Sequence, residues 1–150
     1  MPKPVSSQTL RVADLDSQLY RADIEVHGID HAGPSYQARI YLNNPTANED
    51  SGVAPETGYA GSFHIFGHGG CLGDPGHCDV VTRRLYDPRP GHPLTPGRKV
   101  VIATDAVRRA IQATNEITVT LVPIILSTTP RVGRPDDVIK FDTIRLVTYR

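Results

Sequence analysis

Two-residue alternation of apolar and polar side chains runs through most of this 150-residue chain, and it restricts the fold to sheets with one buried face. Tyr20, Ala22, Ile24 and Val26 fall on one side of an extended run, with Arg21, Asp23, Glu25 and His27 on the other. Tyr36, Ala38, Ile40 and Leu42 repeat the pattern, opposed by Gln37, Arg39 and Tyr41. Ile117, Val119 and Leu121 alternate with Thr118 and Thr120, and Lys99 to Ala103 forms a short apolar strand. The run from Ile139 to Tyr149 changes phase between Phe141 and Ile144, which predicts a β-bulge near Asp142–Thr143.

One helix is expected. Thr104 can cap it, Asp105 suits its first turn, Ala106, Val107, Ala110 and Ile111 make an apolar stripe, and Asn115 is a plausible stop. Turn signals at Gly33-Pro34, Asn44-Pro45 and Gly133 with Pro135 separate the runs. The pattern predicts an all-β, antiparallel β-sandwich of about six or seven strands with one short helix, forming a single domain over 1–150. Two segments exceed a minimal sandwich. Residues 43–58 form a long polar hairpin loop, and residues 67–98 hold seven glycines and five prolines in 32 positions. A loop longer than about 15 residues in a compact domain tends to be functional, disordered or held by something.

The charges balance, sixteen basic against sixteen acidic, which argues against nucleic acid or an anionic membrane as partner. The strongest apolar run, Leu121 to Leu126, is too short to span a bilayer, and the N-terminus has no apolar core of a secretory signal. The expectation is a cytoplasmic protein, or a domain excised from a longer exported chain.

The chemistry-bearing residues gather in YAGSFHIFGHGGCLGDPGHCD, residues 59–79. If Phe63 and Ile65 face the core, His64, Phe66 and His68 share the opposite face, and Cys71, Asp74, His77 and Cys78 arrive from the loop. Two imidazoles and two thiolates suit zinc or copper(I), which makes His64, His68, Cys71, His77 and Cys78 candidate metal ligands. A Cys71–Cys78 disulfide pinning the loop is the alternative, and free thiols with histidines bonded to loop carbonyls is another. His27, His31 and His92 sit at positions expected to be solvated, as do the carboxylate pairs Asp23/Glu25 and Asp136/Asp137. No G-x-S-x-G elbow, phosphate-binding glycine loop or H-E-x-x-H helix is present, and a Cys71/His77 pair has no third group to orient it.

YAGSFHIFGHGGC…GHC, followed by HPLTPGRKVVIATDAVRRA, ITVTLVPI and IKFDTIRLVTY, resembles the C-terminal β-sandwich that follows the copper-binding oxidase domain of bacterial tyrosinase-family proteins. It is similar, more distantly, to the C-terminal domain of molluscan haemocyanins. The resemblance runs from about Leu10 to Tyr149 and implies a sandwich that packs on an oxidase domain, shields its copper site or orders an assembly. The helical, six-histidine oxidase half has no counterpart here, and His64-x-x-x-His68 sits in a strand and glycine loop, so oxidase activity is not implied. Two functions follow as expectations. The first is a non-catalytic accessory module that contacts copies of itself or a tyrosinase-like oxidase domain. The alternative is a copper- or zinc-binding module built on the cluster 64–78.

Overall fold

The computed structural model describes residues 6–12, 15, 18–68, 85–86, 95–125 and 138–150. Seven strands and one α-helix follow in the order β1 (Ser6–Arg11), β2 (Arg21–Ile29), β3 (Tyr36–Leu42), β4 (Tyr59–Ile65), β5 (Gly97–Ile102), α1 (Thr104–Ala113), β6 (Glu116–Ile124) and β7 (Thr143–Tyr149). A single 3-10 turn, Pro55–Thr57, precedes β4. One antiparallel sheet has the order β1-β6-β3-β4 and the other β5-β2-β7, so the chain folds as the all-β sandwich its alternation predicts. Burial follows the predicted faces. Ala22, Ile24 and Val26 of β2 meet Tyr36, Ala38, Ile40 and Leu42 of β3, Phe63 and Ile65 of β4, and Ile117, Val119 and Leu121 of β6 in one core. Each of the buried Val, Leu, Ile and Phe side chains contributes about 1.5–3 kcal/mol by leaving water.

Both open sides of the sandwich are closed by specific contacts. On one side the Gln8 amide of β1 donates to the Ile144 carbonyl at 3.0 Å while its Oε1 accepts from the Ile144 amide at 2.9 Å. The side chain thus stands in for one rung of a strand and joins the edge of one sheet to the edge of the other. On the opposite side β4 comes so near β5 that a Cβ on Gly61 would lie 2.6 Å from Val101 Cγ1. Strand β1 was not legible, because SSQTLR lacks alternation and needs only its partner β6 for definition. Pro123 lies within β6 and pairs with Ala38, beyond the point where β1 ends opposite Leu121. Among the described residues β6 has a neighbour on one side only at that height, where a missing N–H is tolerated.

The phase change near Asp142 has its cause on the partner strand. β7 keeps an unbroken register on β2 from Arg21↔Tyr149 to His27↔Thr143, and the isolated Asp30↔Lys140 bridge continues it. The irregularity lies in the β2–β5 pairing between His27 and Ile29, at Gly28, whose φ is 70°. This is a bulge with a left-handed glycine. It turns β2 from Val26-in to Ile29-in, and β7 follows from Ile144 to Phe141 because the two strands stay paired.

Helix α1 buries Val107 and Ala110 as expected, but Thr104 does not cap it. The N-cap is Ala103, and the Thr104 hydroxyl instead accepts from the Ala22 amide at 3.2 Å. The helix ends with Thr114 as C-cap, one residue before the expected Asn115. The 43–58 loop is not a free excursion. It folds over the outer face of β3 and β6, where Ala47, Tyr41 and Val122 form a second small core. The Tyr41 hydroxyl donates to the Gly52 carbonyl at 2.6 Å, and Asn44 donates to the Thr57 carbonyl at 2.8 Å.

Candidate functional site

Strand β4 carries the start of the chemistry-bearing segment. Phe63 and Ile65 point inward, which leaves His64 and Phe66 outward, as the alternation requires. Phe66 is 87% exposed and borders a shallow surface pocket lined also by Ser35, Tyr36, Gln37, His64 and Ile124. Tyr36, only 5% exposed, has a phenol oxygen with no hydrogen-bond partner among the described residues, and burial raises its pKa.

His68 does not join His64. It meets His31, from the turn between β2 and β3, with Nδ1 facing Nδ1 at 3.1 Å and the rings edge-to-face at 61°. The His68 amide donates to the His31 carbonyl at 2.9 Å, and His31 Nε2 lies 2.7 Å from the Thr95 carbonyl. His31 is thus a bonded residue and not the solvated one its turn position suggested. A register argument could have found it. Extending the antiparallel pairing Tyr36↔Ile65 outward by three residues places the HAGP turn opposite His68. Cys71, Asp74, His77, Cys78 and His92, like Asp136 and Asp137, lie outside the described residues, as does most of the 67–98 loop. Among the described residues no group of three or more His, Cys, Asp or Glu side chains stands close enough to hold a metal ion.

The second candidate surface is the outer face of the β5-β2-β7 sheet, where the sequence suggested solvated carboxylates. Asp23 is instead only 2% exposed and receives both Arg21 Nε at 2.7 Å and Nη2 at 2.8 Å. Glu25, 9% exposed, is held by His27 at 2.7 Å and by Arg98 of β5 at 2.5 Å. The His27 hydrogen bond, followed by that of Arg98, keeps the Glu25 carboxyl below its ordinary pKa. His27 is therefore hydrogen-bonded to Glu25 and not a free, solvated ring. The register places Ile102 and Val147 on either side of Asp23, Val100 and Arg145 beside Glu25, and Tyr149 beside Arg21, whose guanidinium lies 5.4 Å from the Tyr149 ring centroid. Ile102 is 61% exposed, and Val100 and Tyr149 are exposed as well. The face thus combines the Arg21–Asp23 and Glu25–Arg98 pairs with uncovered apolar side chains and the exposed Arg145.

No family model matches the chain, and no curated protein matches it either. The fold is similar to that of solved polyphenol oxidases. Recombinantly expressed latent aurone synthase, a polyphenol oxidase, superposes with a TM-score of 0.54 at 12% identity over 97% of this chain. Latent aurone synthase from its natural source gives a TM-score of 0.54 at 13% identity over the same 97%. The chain spans about a quarter (24%) of each of those chains. At such identities the likeness is one of fold. No helix among the described residues is long and apolar enough to cross a membrane.

Proposed function

We propose that the chain is a non-catalytic accessory β-sandwich that works by contact with another protein through the outer face of β5-β2-β7. The observation that carries this reading is the set of uncovered Val100, Ile102 and Tyr149 around the paired carboxylates of Asp23 and Glu25. Burying Ile102 and Val100 against a partner removes apolar area from water while the Asp23 and Glu25 carboxylates stay paired, and the exposed Arg145 beside them offers a contact for an acidic group. The covered 43–58 loop and the Gln8 bridge support this face over the sheet edges as the contact surface. The partner is a second copy of this chain or a tyrosinase-like oxidase domain, the latter supported by the fold likeness to part of a polyphenol oxidase chain.

Native mass spectrometry of the purified chain, alone and mixed with a polyphenol oxidase, tests the proposal. Association with either species, lost on joint Val100→Glu and Ile102→Glu substitution while far-UV circular dichroism is unchanged, is the expected result. Association that survives the double substitution would place the contact elsewhere. Failure to associate in either mixture would remove the reading.

A further inference from the structure

Strand β7, TIRLVTY, sends Thr143, Arg145, Val147 and Tyr149 outward, so a basic residue stands among the uncovered apolar side chains of the β5-β2-β7 face. The register puts Val100, Glu25 and Arg145 in one row across the three strands, and Ile102, Asp23 and Val147 in the next. At about 4.8 Å between strands, the Arg145 and Val100 backbones lie about 10 Å apart. A protein contact of about 800 Å² per partner is wider than three strands, so one that covers Val100 and Ile102 takes in Arg145 as well.

Both carboxylates of this face are already engaged. The two oxygens of Asp23 accept from Arg21, and those of Glu25 are divided between Arg98 and His27. The groups that hold the Glu25 carboxyl below its ordinary pKa are His27 and Arg98, and Arg145 is not among them. Arg145 is exposed, and its guanidinium has no partner among the described residues. Covering it without a counter-charge leaves a desolvated, unpaired cation, whereas a carboxylate can meet its planar fork with two hydrogen bonds. A second copy of the chain fits poorly. Its face holds three guanidiniums, Arg21, Arg98 and Arg145, against two buried carboxylates. The exposed Asp142 lies three residues from Arg145. A two-fold contact joining Asp142 to Arg145 would centre between Thr143 and Ile144, away from Ile102, which shares a row with Val147.

We propose that the outer face of β5-β2-β7 takes a different protein and not a second copy of this chain, and that this partner presents a carboxylate to Arg145 beside the apolar surface that covers Val100 and Ile102. The proposal rests on the protein-contact reading above and narrows its partner to one with an acidic group set in an apolar patch. Arg145 then fixes the orientation of the partner, and the apolar row supplies the area removed from water.

Surface plasmon resonance of a polyphenol oxidase on the immobilised chain, with native mass spectrometry of the chain alone, tests it. The expected result is a monomeric chain whose affinity for the oxidase falls at least about tenfold on Arg145→Gln, with circular dichroism unchanged. The wild type should also lose affinity more steeply with added salt than Arg145→Gln does. Binding abolished by joint Val100→Glu and Ile102→Glu substitution, but changed less than about twofold by Arg145→Gln, overturns the acidic partner and leaves the contact face standing. A dimer of the chain alone that the same double substitution dissociates also overturns it, because the face then takes a second copy. Absence of association in every mixture removes the contact reading and this proposal with it.

Discussion

Replacing Gly28 by Ala tests the bulge that sets the phase of two strands. Gly28 has a φ of 70°, and an added Cβ would lie 2.1 Å from Asp142 Oδ2. Two costs therefore arise. An alanine in the left-handed region loses about 1–2 kcal/mol relative to glycine. The clash adds to this: the carboxylate of the exposed Asp142 can swing into solvent, but its Cβ, 2.7 Å from the added atom, cannot, so part of this second cost persists whatever the rotamer. Gly28→Ala should lower stability by at least about 1.5–3 kcal/mol, and by at least about 1–2 kcal/mol in an Asp142→Ala background, where the residue-142 Cβ remains. For a chain of this size 1 kcal/mol corresponds to about 2–4 °C in Tm. Urea unfolding monitored by far-UV circular dichroism of the four proteins in this cycle gives both terms. A loss below about 0.5 kcal/mol in the Asp142→Ala background would show that no left-handed residue is needed, and the account of the phase change would be wrong.

Tyr36→Phe should stabilise the chain by about 1–3 kcal/mol, because its buried phenol oxygen has no partner among the described residues; a loss of stability in the same unfolding assay would reveal a hydrogen bond beyond them. The Glu25 carboxyl has a folded pKa below its ordinary value, so its contribution is fully present above about pH 4.3 and is lost as pH falls through the depressed folded value. Thermal melts between pH 6 and 3 should accordingly fall more steeply for the wild type than for Glu25→Gln, and parallel profiles would contradict the ion-pair assignment.

How much could be read in advance differs between the fold and the site. The inward faces of β2, β3, β4 and β6 were legible because alternation is a local property: each strand's pleat assigns its side chains whatever its neighbours are. The helix stripe was legible for the same reason, through a different period. The helix cap was misplaced because Thr104 had a competing acceptor role toward Ala22, a residue 82 positions away. The carboxylates of Asp23 and Glu25 look solvated by the same alternation that buries Ile24. Their burial depends on Ile102, Val147, Arg98 and Arg145, which reach them only when β5 and β7 flank β2.

The sequence by itself determined that this chain builds antiparallel sheets with one apolar face, a single helix on the way between them, and a histidine-bearing strand end with His64 and Phe66 outward. Tertiary structure alone decided which histidines meet. His31 and His68 are 37 residues apart and share no motif, and they come together because β4 pairs with β3 in a register that carries the glycine at 67 onto the β2–β3 turn. It also decided where the phase of β2 and β7 breaks. Register is a relation between strands, and no one strand's pattern contains it.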